Sequence, residues 1–295
     1  MSPSSSTEEF EAHRSLLFTV AYEMLGSAAD AEDVVQESWL QWADVDHTQV
    51  RDPRAFLIRI VTRQTFNRMR TLARRRESYV GQWLPEPLLT APDVAEDVEL
   101  AESVSIAMLT VLESLGPTER AVFVLREVFA VPFDEIAEAI DKTPAAVRQI
   151  AHRARGHVEA RRPRTRVTRA EQEEVVERFL AAIRTGDVDG LLSVLAPDVV
   201  AVGDGGGLAP AARLPIEGAD RVAKSLLLVA RSEGFSVHPV WVNGALAITI
   251  EQDGKILAVA SVRVERGRVT ALYGVSNPEK LTRLDQETQL ATGAR

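Results

Sequence analysis

Apolar residues recur at three- and four-residue steps along the first half of the chain and at every second residue near its end. That pattern predicts helices followed by strands. Phe10, Leu16, Leu17, Val20, Ala21, Met24 and Leu25 share one helical face, and Gly26 stops the period. Ser27, with Asp30 three residues on, reads as a helix N-cap. The segment DAEDVVQESWLQW sets Ala31, Val34, Val35, Ser38, Trp39 and Trp42 on one side and Asp30, Asp33 and Glu37 on another. An acidic stripe beside tryptophans suits a contact with another protein; tryptophans packed in a core are the other reading. A third helix, VRDPRAFLIRIVTRQTFNRMRTLARRR, is expected to bury Phe56, Leu57, Ile60, Val61 and Met69 and to show Arg59, Arg63 and Arg70 to solvent. Aromatic residues among arginines can stack bases beside a held backbone, though Phe56 and Phe66 equally suit a core.

Residues 77–100 break every period, with Gly81 and three prolines, and read as a linker. Tyr79, Trp83, Leu84, Leu88 and Leu89 make it too apolar for a free tether, so it is expected to dock. Helical spacing resumes with Ile106, Leu109, Val111, Leu112 and Leu115, closes at Gly116-Pro117, and continues through TERAVFVLREVF, PFDEIAEAI and TPAAVRQIAHRARGHV. Thr143 is a good N-cap, and Pro144 takes the first helical position, where its missing N–H costs nothing. Val147, Ile150, Ala151, Ala154 and Val158 form one face; Arg148, Gln149 and His152 form the opposite one, flanked by Arg153 and Arg155. Two short helices with a capped, basic second member predict a helix-turn-helix that offers those side chains to the major groove. The last 120 residues open with an amphipathic helix (Val175, Val176, Phe179, Leu180, Ile183), then a shorter helix and a strand. Three alternating β runs follow, turned at Asp253-Gly254 and Arg266-Gly267, which predicts an α+β domain ending in a meander.

Charge sharpens this picture. The chain of 295 residues has a net charge of −9, yet residues 51–76 hold nine arginines against one acid. Residues 142–169 hold eight arginines and a lysine against Glu159. Two basic islands in an acidic chain are the footprint of a nucleic-acid binder that avoids other polyanions, while a solvated helix face is the plainer reading of each island alone. With no cysteine, there is no disulfide framework, thiolate metal site or cysteine nucleophile; no phosphate loop, metal cluster or nucleophile triad is present, so no cofactor or metal is expected. The polar start MSPSSSTEEF and the lack of a long apolar run predict a cytoplasmic protein with no membrane partner.

DAEDVVQESWL (30–40), AFLIRIVTRQTFNRMR (55–70) and FDEIAEAIDKTPAAVRQIAHRAR (133–155) resemble regions two and four of extracytoplasmic-function (ECF) sigma factors. The resemblance implies core RNA polymerase and promoter DNA as partners. By it, Asp30, Asp33, Val34, Gln36 and Glu37 would bind the clamp helices of the polymerase. Arg59, Arg63, Asn67, Arg68 and Arg70 would face the melted minus-ten element, and Arg148, Gln149, His152 and Arg153 would read the minus-thirty-five element. Asn67 stands where the family usually has aspartate. Arg161 and Arg162, past the recognition helix, suit phosphates rather than bases.

The end of the chain resembles the SnoaL-like, cone-shaped fold, and WLPEP (83–87), DGGG (204–207) and NPEKL (277–281) resemble motifs of the sigma-J type subgroup that bears this extension. Leu208 and Glu279 depart from it, standing where the subgroup tends to have a basic residue and an aspartate. The implied architecture is multidomain: an all-α region-2 bundle (1–76), the linker (77–100), a region-4 helix-turn-helix (101–164), an α+β regulatory domain (168–283) and a flexible tail (284–295). Trp83, Leu84 and Pro85 are expected to dock against Asp204, Gly205, Gly206 and Gly207 and against Asn277, Pro278 and Lys280, because a glycine run permits close backbone approach. A small ligand in the third domain is an open possibility. The rival reading is a helix-turn-helix regulator with a ligand-sensing or catalytic third domain, in which Asp204 and His238 would form the acid–base pair.

Overall fold

The computed structural model describes residues 3–161 and 167–292. Helix α1 (Pro3–Leu25) ends where Gly26 takes a φ of 69° and donates to Tyr22 O. Ser27 then caps α2 (Ala28–Ala43) by accepting from Asp30 N at 3.2 Å. Helix α3 (Pro53–Arg76) packs on both. Phe18, Met24, Val34, Leu57 and Val61 fill the space between the three, and the Trp42 indole donates to Ser6 O at 2.9 Å, so this tryptophan is core. Phe56 and Phe66 are partly buried against the same core.

Short helices α4 (Val98–Val104), α5 (Ile106–Glu113) and α6 (Pro117–Phe123) follow; α6 runs into a single wide turn over Val124–Val128. Then come α7 (Phe133–Ala139) and α8 (Pro144–Glu159), joined by the two-residue turn at Asp141-Lys142. Helix α4 begins inside the stretch assigned to the linker, because Asp97 caps it by accepting from Leu100 N. The two helical units were expected as separate domains. Instead α6 and α7 pack on α3, and one continuous hydrophobic core joins Leu17, Val35 and Leu57 with Leu109, Val124 and Val147.

The third unit is an α+β domain in which three helices pack on one curved sheet. Helices α9 (Arg169–Thr185) and α10 (Val188–Val194) lead into β1 (Leu195–Asp204) and the two-residue β2 (Ile216–Glu217). Helix α11 (Ala219–Ala230) precedes β3 (Phe235–Val242), β4 (Ala245–Gln252), β5 (Lys255–Glu265) and β6 (Arg268–Val275). Asn243-Gly244, Asp253-Gly254 and Arg266-Gly267 all have positive φ, as two-residue hairpin turns with right-handed strand twist require. The meander therefore has four strands, and the sheet order is β2-β1-β6-β5-β4-β3. The parallel pairing of β1 with β6 is a long-range choice that turn chemistry does not announce.

Polar groups at the seams complete one another's hydrogen bonds. Asn243 donates from Nδ2 to Tyr22 Oη at 2.7 Å in the first unit and to Val104 O at 2.8 Å in the second. Its Oδ1 accepts from Leu88 N of the linker at 2.9 Å. The tail expected to be flexible is also engaged over its described part. Thr288 N donates to Leu89 O, Ala291 N donates to Thr19 Oγ1, and Leu290 packs on the helical core.

Because Asn243 is 1% exposed and serves three segments, Asn243→Ala leaves buried partners unpaired and is expected to cost about 2–3 kcal/mol. A lowered urea midpoint checks this; a midpoint within error of the parent would show that the seam does not depend on this amide.

Candidate functional site

On α2, Asp33, Gln36 and Glu37 are exposed and Asp30 is half-buried, whereas Val34 is fully buried and gives the helix its packing rather than its surface. Arg68 lies across the acidic stripe: its guanidinium is 3.3 Å from Asp30, 3.5 Å from Asp33 and 3.0 Å from Glu37. It thus shields the acids instead of joining its basic neighbours on α3. Arg63, Asn67 and Arg70 are exposed. Arg59 stacks on Phe56 and reaches across to Glu138 of α7 at 2.9 Å. One member of the basic face is therefore bound to the supporting helix of the second unit.

In that unit Thr143 Oγ1 accepts from Ala146 N and Pro144 opens α8, as the capping residues require. Arg148, Gln149, His152 and Arg153 all lie exposed on one side, while Val147, Ile150, Ala151, Ala154 and Val158 are buried on the other. Phe133 supports Arg148 from below at 5.6 Å, and Glu127 holds Arg155 at 2.7 Å. Arg161 is exposed just past the helix, and Arg162 lies outside the described residues.

The linker motif meets the third unit through charge. Asp204, at the end of β1, is fully buried; its Oδ2 accepts from Leu84 N at 2.8 Å and from Lys280 Nζ at 2.7 Å. Its Oδ1 accepts from Tyr79 Oη at 2.6 Å and Gly206 N at 3.1 Å. Lys280, 6% exposed, also donates to Leu84 O at 2.6 Å and sits 3.1 Å from the centroid of the Trp83 ring, a cation–π contact in a dry site. Asn277 Nδ2 donates to Tyr79 Oη at 2.9 Å, while its Oδ1 accepts from Glu279 N in the turn that Pro278 begins. Burial, then the hydrogen bond to Asp204, pushes the Tyr79 phenol well above its usual range. Gly206 has a φ of 59°, and a Cβ there would overlap Asn277 Nδ2; Gly207 lies against Val80, and Gly205 against Ala209. Trp83, Leu84, Asp204, Gly206, Asn277 and Lys280 thus form one cluster.

From the same motif Glu86 turns the other way. Its Oε2 accepts from Ala28 N at 2.7 Å and Ala29 N at 3.4 Å, placing a carboxylate at the N-terminus of α2, and Tyr22 Oη donates to Glu86 O at 2.6 Å. Burial raises the Glu86 pKa. Pro85 is buried beside Gly26. Four consecutive residues, Trp83 to Glu86, therefore join the first unit to the third. Glu86, Tyr22 and Asn243 escaped the sequence reading; the Asn-Gly turn at 243–244 was the available signal for the last. Asp204 and His238 do not meet in this way. His238 is exposed on β3, 3.9 Å from Glu251, while Asp204 is occupied by the linker.

A helical unit with an acidic helix and a basic helix, joined to a helix-turn-helix with an exposed basic face, has the make-up of a DNA-binding transcription factor. The family models Sigma-70 region 2 and Sigma-70, region 4 match residues 10–75 and 105–158. The chain is 41% identical over 289 residues to ECF RNA polymerase sigma factor SigJ of Mycobacterium tuberculosis, covering 93% of this chain and 92% of that one. It is 31% identical to the probable ECF RNA polymerase sigma factor SigI of the same species, over 94% of this chain and 95% of that one. The crystal structure of M. tuberculosis SigJ superposes with a TM-score of 0.77 at 38% identity, covering 94% of this chain and 98% of that one. The chain belongs to the ECF RNA polymerase sigma factors. Among the described residues no helix is long and apolar enough to cross a membrane, and no group of His, Asp and Glu is placed to hold a metal.

Behind α2 the two helical units meet around charge. Arg120 of α6, 2% exposed, donates from Nε and Nη2 to Glu23 O in the last turn of α1, at 3.0 and 2.8 Å, and pairs with Glu113. The Glu23 side chain is fully buried and accepts from Ser103 Oγ of α4 at 2.8 Å. Burial pushes its carboxyl up to about 8 from 4.5, against the opposing pull of Ser103 and Arg120. A carboxyl raised on folding adds most stability below pH 4.5, and that contribution is lost as pH rises toward 8. The unfolding free energy from urea titration is therefore expected to fall between pH 5 and 8, by up to about 1.4 kcal/mol per pH unit for one proton, and Glu23→Gln should flatten that slope. An equal slope in both proteins would remove Glu23 from the account.

Proposed function

We propose that this sigma factor rests in a closed state, held by its linker and third domain, and opens on RNA polymerase to engage its promoter. The observation that carries this is the Arg59–Glu138 bridge over the continuous helical core. It sets the minus-ten helix α3 directly against the unit that contains α8. Minus-ten and minus-thirty-five elements are separated by about 25 base pairs, which is ~85 Å at 3.4 Å per pair. No arrangement with α3 packed on α6 and α7 spans that distance, so the two units must part before both elements are contacted.

In this reading Asp30, Asp33, Gln36 and Glu37 meet the polymerase, and the polymerase displaces Arg68 from the stripe. Arg68, once displaced, joins Arg59, Arg63, Asn67 and Arg70 on the melted strand. Arg148, Gln149, His152 and Arg153 read the upstream element. The third domain acts by holding the linker rather than by catalysis, a reading supported by the separation of His238 from Asp204 and by a cone with no ionisable side chain in its lining among the described residues.

Fluorophores at the exposed positions Gln36 and Glu159 report on the opening. Transfer efficiency is expected to be high in the free protein and to collapse on adding core polymerase. A low efficiency in the free protein would refute the closed state. Asp33→Lys with Glu37→Lys is expected to abolish retention by core polymerase in a pull-down while leaving the circular dichroism unchanged; full retention would move the polymerase contact elsewhere.

A further inference from the structure

The third domain contains a hollow that the clamp does not require. Along one half of the concave sheet face, Val199, Val262, Val264 and Val269 fill the space beneath α9 and α10. Along the other half the positions continuing the same strands are Ala201 and Gly203 on β1, Ala258 and Ala260 on β5, and Gly274 on β6. Small side chains there leave a cavity of about 660 Å³ between the sheet and α11. That volume suits a ligand of some twenty to thirty heavy atoms, roughly the drug-sized class. Its mouth carries Val229, Ile256 and Leu257 at 46, 39 and 47% exposure, an apolar rim of the kind that marks a binding site. Among the described residues no Asp, Glu, Lys, Arg or His lines it, and Ser225, Ser276 and Thr282 supply the only side-chain hydroxyls. A charged ligand would be desolvated with nothing to pair it.

The cavity wall and the linker clamp are built from the same short segments. Ser276 lines the cavity; its N donates to Asp204 O at 2.8 Å, and its Oγ donates to Pro210 O at 3.1 Å. Pro210 and Ala211 form the wall of the loop that starts at Gly205, whose carbonyl accepts from Leu208 N and Ala209 N. Pro278 and Leu281, also in the wall, flank Lys280 in a single turn. One side of each segment touches the hollow, and the other holds Trp83 and Leu84.

We propose that this cavity binds one uncharged, apolar small molecule, and that its binding tightens the grip of Asp204 and Lys280 on the linker. The direction follows from the geometry: the closed clamp holds the wall segments at 204–211 and 276–281 in place, so a ligand packed on them binds the closed form better than one with the linker released, and stabilises it by that difference. The link to promoter opening rests on the closed-state reading above; the binding and the grip do not.

The probe is N-phenyl-1-naphthylamine, a neutral apolar fluorophore, used with the whole 295-residue chain. It is expected to bind one per chain with a dissociation constant on the order of 10 µM. Ala260→Trp fills the hollow and should abolish binding. Should that variant fail to fold, Ile256→Glu at the exposed rim should weaken binding by roughly ten-fold through an uncompensated charge at the mouth. In the parent, saturating probe should slow hydrogen exchange at residues 79–89 by roughly three-fold or more. Non-saturable binding, binding unaffected by both variants, or unchanged or faster exchange at 79–89 would overturn the proposal. Low transfer efficiency in the free protein alongside saturable binding and slowed exchange would refute the closed state and leave the ligand site standing.

Discussion

The ammonium of Lys280 lies out of water, and the arrangement around it depends on that fact. A buried lysine is costly unless its charge is paired and its protons are accepted. Here the Asp204 carboxylate pairs it, the Leu84 carbonyl accepts from it, and the Trp83 ring covers it. Two of those three partners belong to the linker. The third domain therefore holds a charge that its own Asp204 pairs and the linker covers, and the linker holds a tryptophan ring that packs on that charge. Neither has a satisfied surface alone, which is why a proline-rich stretch without regular structure adopts one path.

The same logic recurs at the helix ends. Helix termini leave backbone groups unpaired, and two helices of the first unit are finished from outside it. Glu86 supplies a carboxylate to the first N–H groups of α2, and Arg120 supplies a guanidinium to the Glu23 carbonyl near the end of α1. Both sit in the favourable sense of the helix dipole. Because these contacts cross unit boundaries, losing one exposes a polar group in a neighbour, and the units hold together more tightly than buried area alone implies.

Function pulls against this cohesion. Residues that suit polymerase and promoter are partly spent on internal pairs: Arg68 on the α2 acids and Arg59 on Glu138. These pairs are half-exposed and individually weak, so a polyanion or a polymerase surface can replace them. The seam around Asn243 and Lys280 is buried and does not exchange so readily. Opening between α3 and the second helical unit thus costs more than these surface pairs, because it also parts the shared core and the buried Arg120–Glu23 and Asn243 contacts.

The sequence by itself determined the elements and their outward chemistry. Apolar spacing set α1, α2, α3 and α8, the Ser27 and Thr143 caps marked two starts, and the Asp253-Gly254 and Arg266-Gly267 turns placed the meander, because each depends on neighbours within a few residues. The exposed basic face of α8 was legible for the same reason, and so was the mismatch between Trp83 and a free linker. Tertiary structure alone decided the rest. That Val34 is buried, that Arg68 turns onto α2, that one core spans both helical units, that β1 pairs parallel with β6 and that Asn243 joins three segments all depend on which distant surfaces meet. Such choices are settled by the competition among buried polar groups for partners, and local spacing carries no information about partners a hundred residues away.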